Sequence, residues 1–278
     1  MKDQIIDGKG IANDIVRQLA ALPKPKKFCA AVLVGDNVAS MSFLKQKENI
    51  AKKIGIDFRL YRFPEKIEND VLQDGVKEIA TDKNCGGVIV QLPLPNHLNR
   101  HSILNIIPPE KDVDVLGARS LGTFYTGQSD MFSPAVGVVK AVCEMQKYDL
   151  SLHSVAVVGL GLLVGRPIAN WIMRKARETI LFRSTSDLSL LRHADLVITG
   201  VGRASIIKPE MLKTGAAVID FGYDNMHGDF DYEQLVPDDQ RIIFYTPTPG
   251  GTGPILVAKL FENFFRLNAE GKNLKLEG

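Results

Sequence analysis

The stretch SVAVVGLGLLVGRPIAN, residues 154–170, decides how the rest of the chain is read. Its first five residues are small or apolar and mostly valine, the composition of a strand covered on both faces. Gly159 then permits a tight turn, and the loop runs through Gly165 into Arg166-Pro167 and a helical pattern. Strand, glycine turn and helix in that order form the unit that receives a pyrophosphate. Gly161 lets the backbone come close, and the helix N-terminus offers free N–H groups and a positive dipole end. The spacing is G-x-G-x-x-x-G, one residue longer than the usual fingerprint. Gly159, Gly161, Leu162, Val164 and Gly165 are therefore the expected cradle of a dinucleotide. The competing reading is a glycine turn made for packing alone, and the β/α units that follow weigh against it.

Outward from this stretch, β-type and helix-type runs alternate. Strands are predicted over residues 29–34, 57–62, 87–91, 155–159, 179–182, 196–199, 217–221 and 242–245. Helices are predicted over residues 38–54, 71–81, 136–145 and 164–177. This alternation means an α/β fold with mostly parallel sheets. Between Asp114 and Pro134 the periodicity lapses and Gly117, Gly122 and Gly127 punctuate the chain. Two α/β domains are expected, the second of Rossmann type, with an interdomain cleft as the default ligand site. The tail GKNLKLEG is expected to fray.

Composition narrows the function. The 278 residues carry 34 basic and 32 acidic side chains, a net charge of +2, which argues against a nucleic-acid or membrane-surface binder. The three cysteines, Cys29, Cys85 and Cys143, are far apart and suggest neither a disulfide framework nor a zinc site. His97 and His101 stand four apart without the glutamate a zinc protease helix needs, so no metal is expected. No apolar run is long enough for a membrane span, and a cytoplasmic protein is expected.

The strand after the glycine loop ends in Arg183-Ser184-Thr185-Ser186, where an NAD site usually offers a carboxylate. A guanidinium and hydroxyls suit a 2′-phosphate, so NADP is the expected cofactor, held by Arg183 and Ser184. The alternative is an Arg beside a serine turn that caps the next segment. The next strand ends in Gly200-Val201-Gly202, a second expected cofactor edge. Asp220, near the end of a further strand, faces a ligand or caps its own loop.

The other half carries candidate chemistry. On the helix over residues 38–54, Ser40, Phe43, Leu44, Lys47, Ile50, Ala51 and Ile54 share one face. Lys47 in that stripe either snorkels to water or lines a cleft, where desolvation would suit it to proton transfer. Gln91-Leu92-Pro93 leaves a buried strand and is placed to orient a ligand, or to close its own turn. Asp112 and Asp114 alternate with valines and share one side; one can bind a ligand ring while the other caps a loop. Gly250, Gly251 and Pro254, in TPTPGGTGP, read as a ligand-facing loop ahead of a last helix.

These segments together resemble the bifunctional methylenetetrahydrofolate dehydrogenase/methenyltetrahydrofolate cyclohydrolase family. VIVQLPLP, PPEKDVD, VVGLGLLVGRP, ADLVITGVG, GAAVIDFG and TPTPGGTGP fall in the family's order over nearly the whole chain. The resemblance implies a folate-binding catalytic domain at 1–133 plus 255–278 and an NADP-binding Rossmann domain at 134–254. It implies a homodimer acting on tetrahydrofolate derivatives in one-carbon metabolism. By the same resemblance Lys47, Gln91 and Asp114 are catalytic, with Asp114 on the pterin. Ser40, Phe43, Leu92, Pro93, Gly250, Gly251 and Pro254 bind substrate, and Thr252 joins the cofactor set. The implied reaction oxidises 5,10-methylenetetrahydrofolate with NADP+ and then hydrolyses the methenyl product to 10-formyltetrahydrofolate.

Several positions depart from the family's pattern. Phe43 stands for a tyrosine, Val115 for a glycine, and Leu160-Gly161 for Arg-Ser. Phe132-Ser133-Pro134 replaces PCTP, and Thr252, Ile255 and Leu256 alter GGVGPMT. They bear on the cyclohydrolase step, the cofactor preference and the folate fit. The alternatives are a dehydrogenase with impaired cyclohydrolase, another two-domain NADP dehydrogenase resembling shikimate dehydrogenase, and a folate- or nucleotide-binding protein without turnover.

Overall fold

The computed structural model describes residues 4–236 and 240–269. The tail expected to fray lies outside the described residues. The chain divides into two compact units. No helix among the described residues is long and apolar enough to cross a membrane.

One unit runs from Asn13 to Pro134 and resumes at Val257. Its sheet holds β1 (Phe28–Val34), β2 (Phe58–Phe63) and β3 (Cys85–Val90), ordered β2-β1-β3 and all parallel. β1 (FCAAVLV) and β3 (CGGVIV) are buried at every residue, as unbroken apolar runs in a covered parallel sheet must be. β2 is an edge strand, and its Arg59 and Arg62 keep that edge charged. The crossovers are α2 (Val38–Ile54) and α3 (Asn69–Thr81). α1 (Gly8–Ala21) precedes β1. After β3 come α4 (Arg100–Leu104) and α5 (Ala118–Tyr125). α5 lies where the sequence shows no periodicity. Its eight residues bury only Ser120 and Phe124, too few to write a pattern.

The second unit spans Ala135–Leu256 and also takes the chain up to Ala12. α6 (Pro134–Met145) leads into it. Its parallel sheet holds β4 (Ser154–Val158), β5 (Glu178–Phe182), β6 (Leu196–Thr199), β7 (Ala216–Asp220) and β8 (Ile242–Tyr245), ordered β5-β4-β6-β7-β8. The eight strands sit within one or two residues of the predicted positions. α7 (Gly165–Ile172) is shorter than predicted, because Met173–Arg177 continue as tight turns whose polar run has no face to bury. α8 (Thr252–Asn268) ends the described chain.

The first described residues pair with the second unit's sheet. Ile5 pairs in parallel with Tyr245, with Ile6 N donating to Tyr245 O at 2.9 Å and Tyr245 N to Gln4 O at 2.7 Å. Residues 4–6 thus extend the β8 edge. A pairing this short leaves no apolar run in the sequence to betray it.

Candidate active site

α2 starts at Asn37, whose side chain accepts from Ser40 N at 2.9 Å, and ends at Gly55 with φ 73°. Between these caps it buries Ser40, Leu44, Lys47, Ala51 and Ile54, with Phe43 half-buried on the same side. Lys45 and Lys52 pair with Glu48 on the outer face. Lys47 does not snorkel: it is 6% exposed, and its Nζ donates to Gln91 Oε1 at 2.9 Å. Gln91 continues the β3 ladder through its N–H to Val32 O. Its own Nε2 donates to Leu92 O at 2.8 Å, which leaves the oxygen turned to the lysine. The Leu92–Pro93 bond is cis.

Burial lowers the Lys47 pKa, and the negative charge of Asp114 opposes that shift. Asp114 is pushed up to about 6 by burial, with Lys47 pulling it back down. Each partner is thus brought toward neutrality. Cys29 of β1 also faces this pair; burial raises its thiol well above the ordinary range. A buried apolar run hides such a cysteine from sequence reading.

Asp112 and Asp114 take the two roles that the sequence left open. The Asp112 carboxylate accepts from Leu116 N at 3.0 Å and Gly117 N at 2.8 Å, so it caps its own loop. Asp114 faces the lysine. Val115, between cap and loop, is held at φ 56°, a left-handed conformation that costs a β-branched residue of order 1–2 kcal/mol.

In the other unit, the order β5-β4-β6 reverses direction at β4, so a crevice opens at the C-terminal ends of β4 and β6. The glycine loop sits there. Gly159 has φ 84°, and a Cβ on Gly165 would collide with the Gly159 carbonyl oxygen. These two glycines are required by the turn and by helix–strand contact. Gly161 faces open space, as an approach path for an anion needs. Leu162 and Val164 are half-buried beside it.

Gly200, Val201 and Gly202 differ from the expectation. Gly200 N donates to Val158 O, and Val201 N and Gly202 N donate to Asp229 at 2.6 and 2.9 Å. Asp229, fully buried, also accepts from Arg203 N and from Thr199 Oγ1. These N–H groups are spent internally, so the loop can offer a cofactor only its surface and carbonyls. Nothing local in the sequence marks Asp229. Asp220 caps: it accepts from Gly222 N at 2.6 Å and Phe230 N at 2.8 Å. Burial and the neighbouring Asp229 help push it up to about 7.

Thr252 turns inward. Its hydroxyl is buried and donates to Asp220 O at 2.8 Å, so it ties the glycine-rich loop to β7. Gly250 and Gly251 precede α8, and Pro254 lies in its first turn. At the end of β5, Ser186 Oγ accepts from Arg183 N, which is the capping turn anticipated as the alternative. Arg183 and Ser184 nonetheless remain exposed. Asp187 is occupied by both the N–H and the hydroxyl of Ser189.

Two family models match the chain in tandem. Residues 6–114 match the tetrahydrofolate dehydrogenase/cyclohydrolase catalytic domain, and residues 133–272 match its NAD(P)-binding domain. The chain belongs to the tetrahydrofolate dehydrogenase/cyclohydrolase family. Among similar proteins, the bifunctional protein FolD of Halothermothrix orenii is 34% identical over 277 residues, covering 94% of this chain and 96% of that one. The FolD of Geobacillus thermodenitrificans is 34% identical over 276 residues, covering 95% and 96%. The crystal structure of the bifunctional FolD from Campylobacter jejuni superposes with a TM-score of 0.89 at 29% identity, covering 95% of this chain and 98% of that one. The family's catalytic domain contains Lys47, Gln91 and Asp114. Its NAD(P)-binding domain contains the glycine loop and Asp229. Membership sets aside the shikimate-dehydrogenase-like alternative.

Proposed function

We propose that this family member oxidises 5,10-methylenetetrahydrofolate with NADP+ and hydrolyses the methenyl product to 10-formyltetrahydrofolate. The observation that carries the reading is the buried Lys47 side chain, bonded to Gln91 at 2.9 Å with the raised carboxyl of Asp114 facing it. Bound NADP+ supplies the hydride acceptor. For the oxidation the chain's task is positioning, since the neighbouring folate nitrogens stabilise the cation. Asp114 accepts from the pterin ring, while Ser40, Phe43, Leu92 and Pro93 line the substrate. Gly250, Gly251 and Pro254 are assigned to the substrate as well. For the hydrolysis, water adds to the methenyl carbon while the Lys47 amine takes its proton, and the resulting ammonium, held by Gln91 Oε1, returns that proton to the ring nitrogen as its C–N bond breaks to leave the formyl group.

The glycine loop would hold the pyrophosphate. Arg183 and Ser184 support NADP over NAD: both are exposed, and the Asp187 carboxylate that follows them is occupied. A homodimer in the cytoplasm, which the family resemblance implies, completes the proposal.

Phe43 favours a second reading, a dehydrogenase with weakened hydrolysis. It presents a ring where the family resemblance implies a tyrosine hydroxyl near Lys47. A spectroscopic assay with 5,10-methylenetetrahydrofolate separates the two, run with NADP+ and with NAD+. Reduced cofactor without methenyl build-up is the expected result. Methenyl rising in step with reduced cofactor would establish the second reading, and no turnover by a folded, folate-binding sample would defeat both.

A further inference from the structure

α8 carries one buried polar side chain that the chemistry above leaves unused. Asn263 is 5% exposed and lies among the buried rings of Phe261, Phe264 and Phe265. Its Nδ2 donates to Val113 O and to Phe132 O, each at 2.8 Å. Both amide hydrogens are thus spent on backbone far away in sequence. The Val113 carbonyl and the Asp114 nitrogen belong to one peptide plane, so a bond to that oxygen grips the plane from which Asp114 departs. The segment is held elsewhere too: Asp112 bridges Val88 of β3, and its carboxylate takes Leu116 N and Gly117 N. A Cβ on Gly87 would stand 2.7 Å from Val113 and 2.8 Å from Phe264, so strand, segment and α8 meet here without slack. On this clamped peptide, Asp114 faces Lys47 of α2, Cys29 of β1 and Asp112 of its own segment.

We propose that Asn263 is a positioning residue, whose amide fixes the Val113–Asp114 peptide and so sets how Asp114 stands toward Lys47. The proposal rests on the reading of Lys47 and Asp114 as a working pair. Removing the amide takes away the donor that holds the buried Val113 O. The segment then relaxes toward water, and the better-solvated carboxyl titrates nearer the ordinary carboxylate range.

The test compares Asn263→Ala with Asn268→Ala. The second removes a similar amide from the same helix, bonded to Gly86 O and Phe264 O, without touching the Val113–Asp114 peptide. Asp114 titration is followed by carbon NMR of aspartate-labelled protein, and turnover by the dehydrogenase assay. N263A is expected to lower kcat/KM about tenfold and to move the Asp114 titration down by about one pH unit. N268A is expected to change neither. An unmoved titration in folded N263A overturns the proposal whatever the activity does. If N263A does not fold, Asn263→Gln keeps both donors but displaces them by one methylene and is judged by the same titration. Asp114→Asn separates the two layers. Full activity in D114N defeats the pair itself; lost activity in D114N with an unmoved titration in N263A defeats only the role of Asn263.

Discussion

Each unit brings two acids together near the ends of its strands, and the two pairs serve different ends. In the NAD(P)-binding unit, Asp220 and Asp229 both accept backbone N–H groups, and together they tie down residues 199, 201–203, 222 and 230. In the catalytic unit, only Asp112 is spent this way. Asp114 is left facing a buried ammonium. A buried carboxyl whose partners are peptide N–H groups holds its loop in place. A buried carboxylate facing a lysine keeps a proton that can move. The partner of the acid, rather than its burial, tells the two apart.

The largest effect that bears on this contrast is at Lys47. Lys47→Met is expected to lower hydrolysis of methenyltetrahydrofolate roughly a hundredfold or more. Circular dichroism should be unchanged, since methionine suits a buried helix face. Hydrolysis at the parental rate would remove the catalytic pair from one side of the comparison.

Asp229→Asn probes the other side. The carboxamide turns an NH2 group toward peptide N–H donors, so the loop over residues 201–203 loosens. NADP+ should bind about tenfold more weakly in a fluorescence titration, with about 1–3 kcal/mol of stability lost. Unaltered affinity would mean that this loop does not shape the cofactor site.

The pH dependence sharpens the comparison further. An aspartate titrates near about 4 when unfolded, whereas Asp220 is pushed up to about 7 in the fold. Between these values the native state holds a proton that the unfolded chain releases. Stability from this group is therefore fully present below about pH 4 and is lost as pH rises through about 7. Asp114 adds a loss of the same sign that ends near about 6. Urea denaturation from pH 5 to 8 should show the decline, and Asp220→Asn should flatten its upper part. An equal slope in that variant would place the titration elsewhere.

The smallest effect is at Val115. Val115→Gly relieves the left-handed backbone at φ 56°, although glycine also gains entropy when unfolded. A net stabilisation of about 0.5–1 kcal/mol is expected from thermal unfolding. A loss would show that the buried valine contributes more by packing than its backbone costs.

Local chemistry was legible where it repeats along an element. The eight strands, the extent of α2 and the glycine turn before α7 could all be read because apolar spacing and glycine placement are local signals. The same periodicity put Lys47 on the buried face of α2. It left open whether the ammonium escapes to water, since that depends on Gln91, which lies 44 residues away.

What the tertiary structure alone decided is which distant group meets each buried polar atom. Asp112 and Asp114 are equivalent in an alternating pattern, and only Leu116 N, Gly117 N and Lys47 divide their roles. Asp229 spends the N–H groups of a loop that reads as a cofactor edge, and Thr252 turns its hydroxyl inward to Asp220 O. Residues 4–6 pair with Tyr245 across most of the chain's length. The physical reason is common to these cases. Hydrophobic spacing along a chain reports which face is buried, because burial acts on area. A hydrogen bond acts on one partner at one distance and angle, and that partner is chosen only when the whole chain has folded.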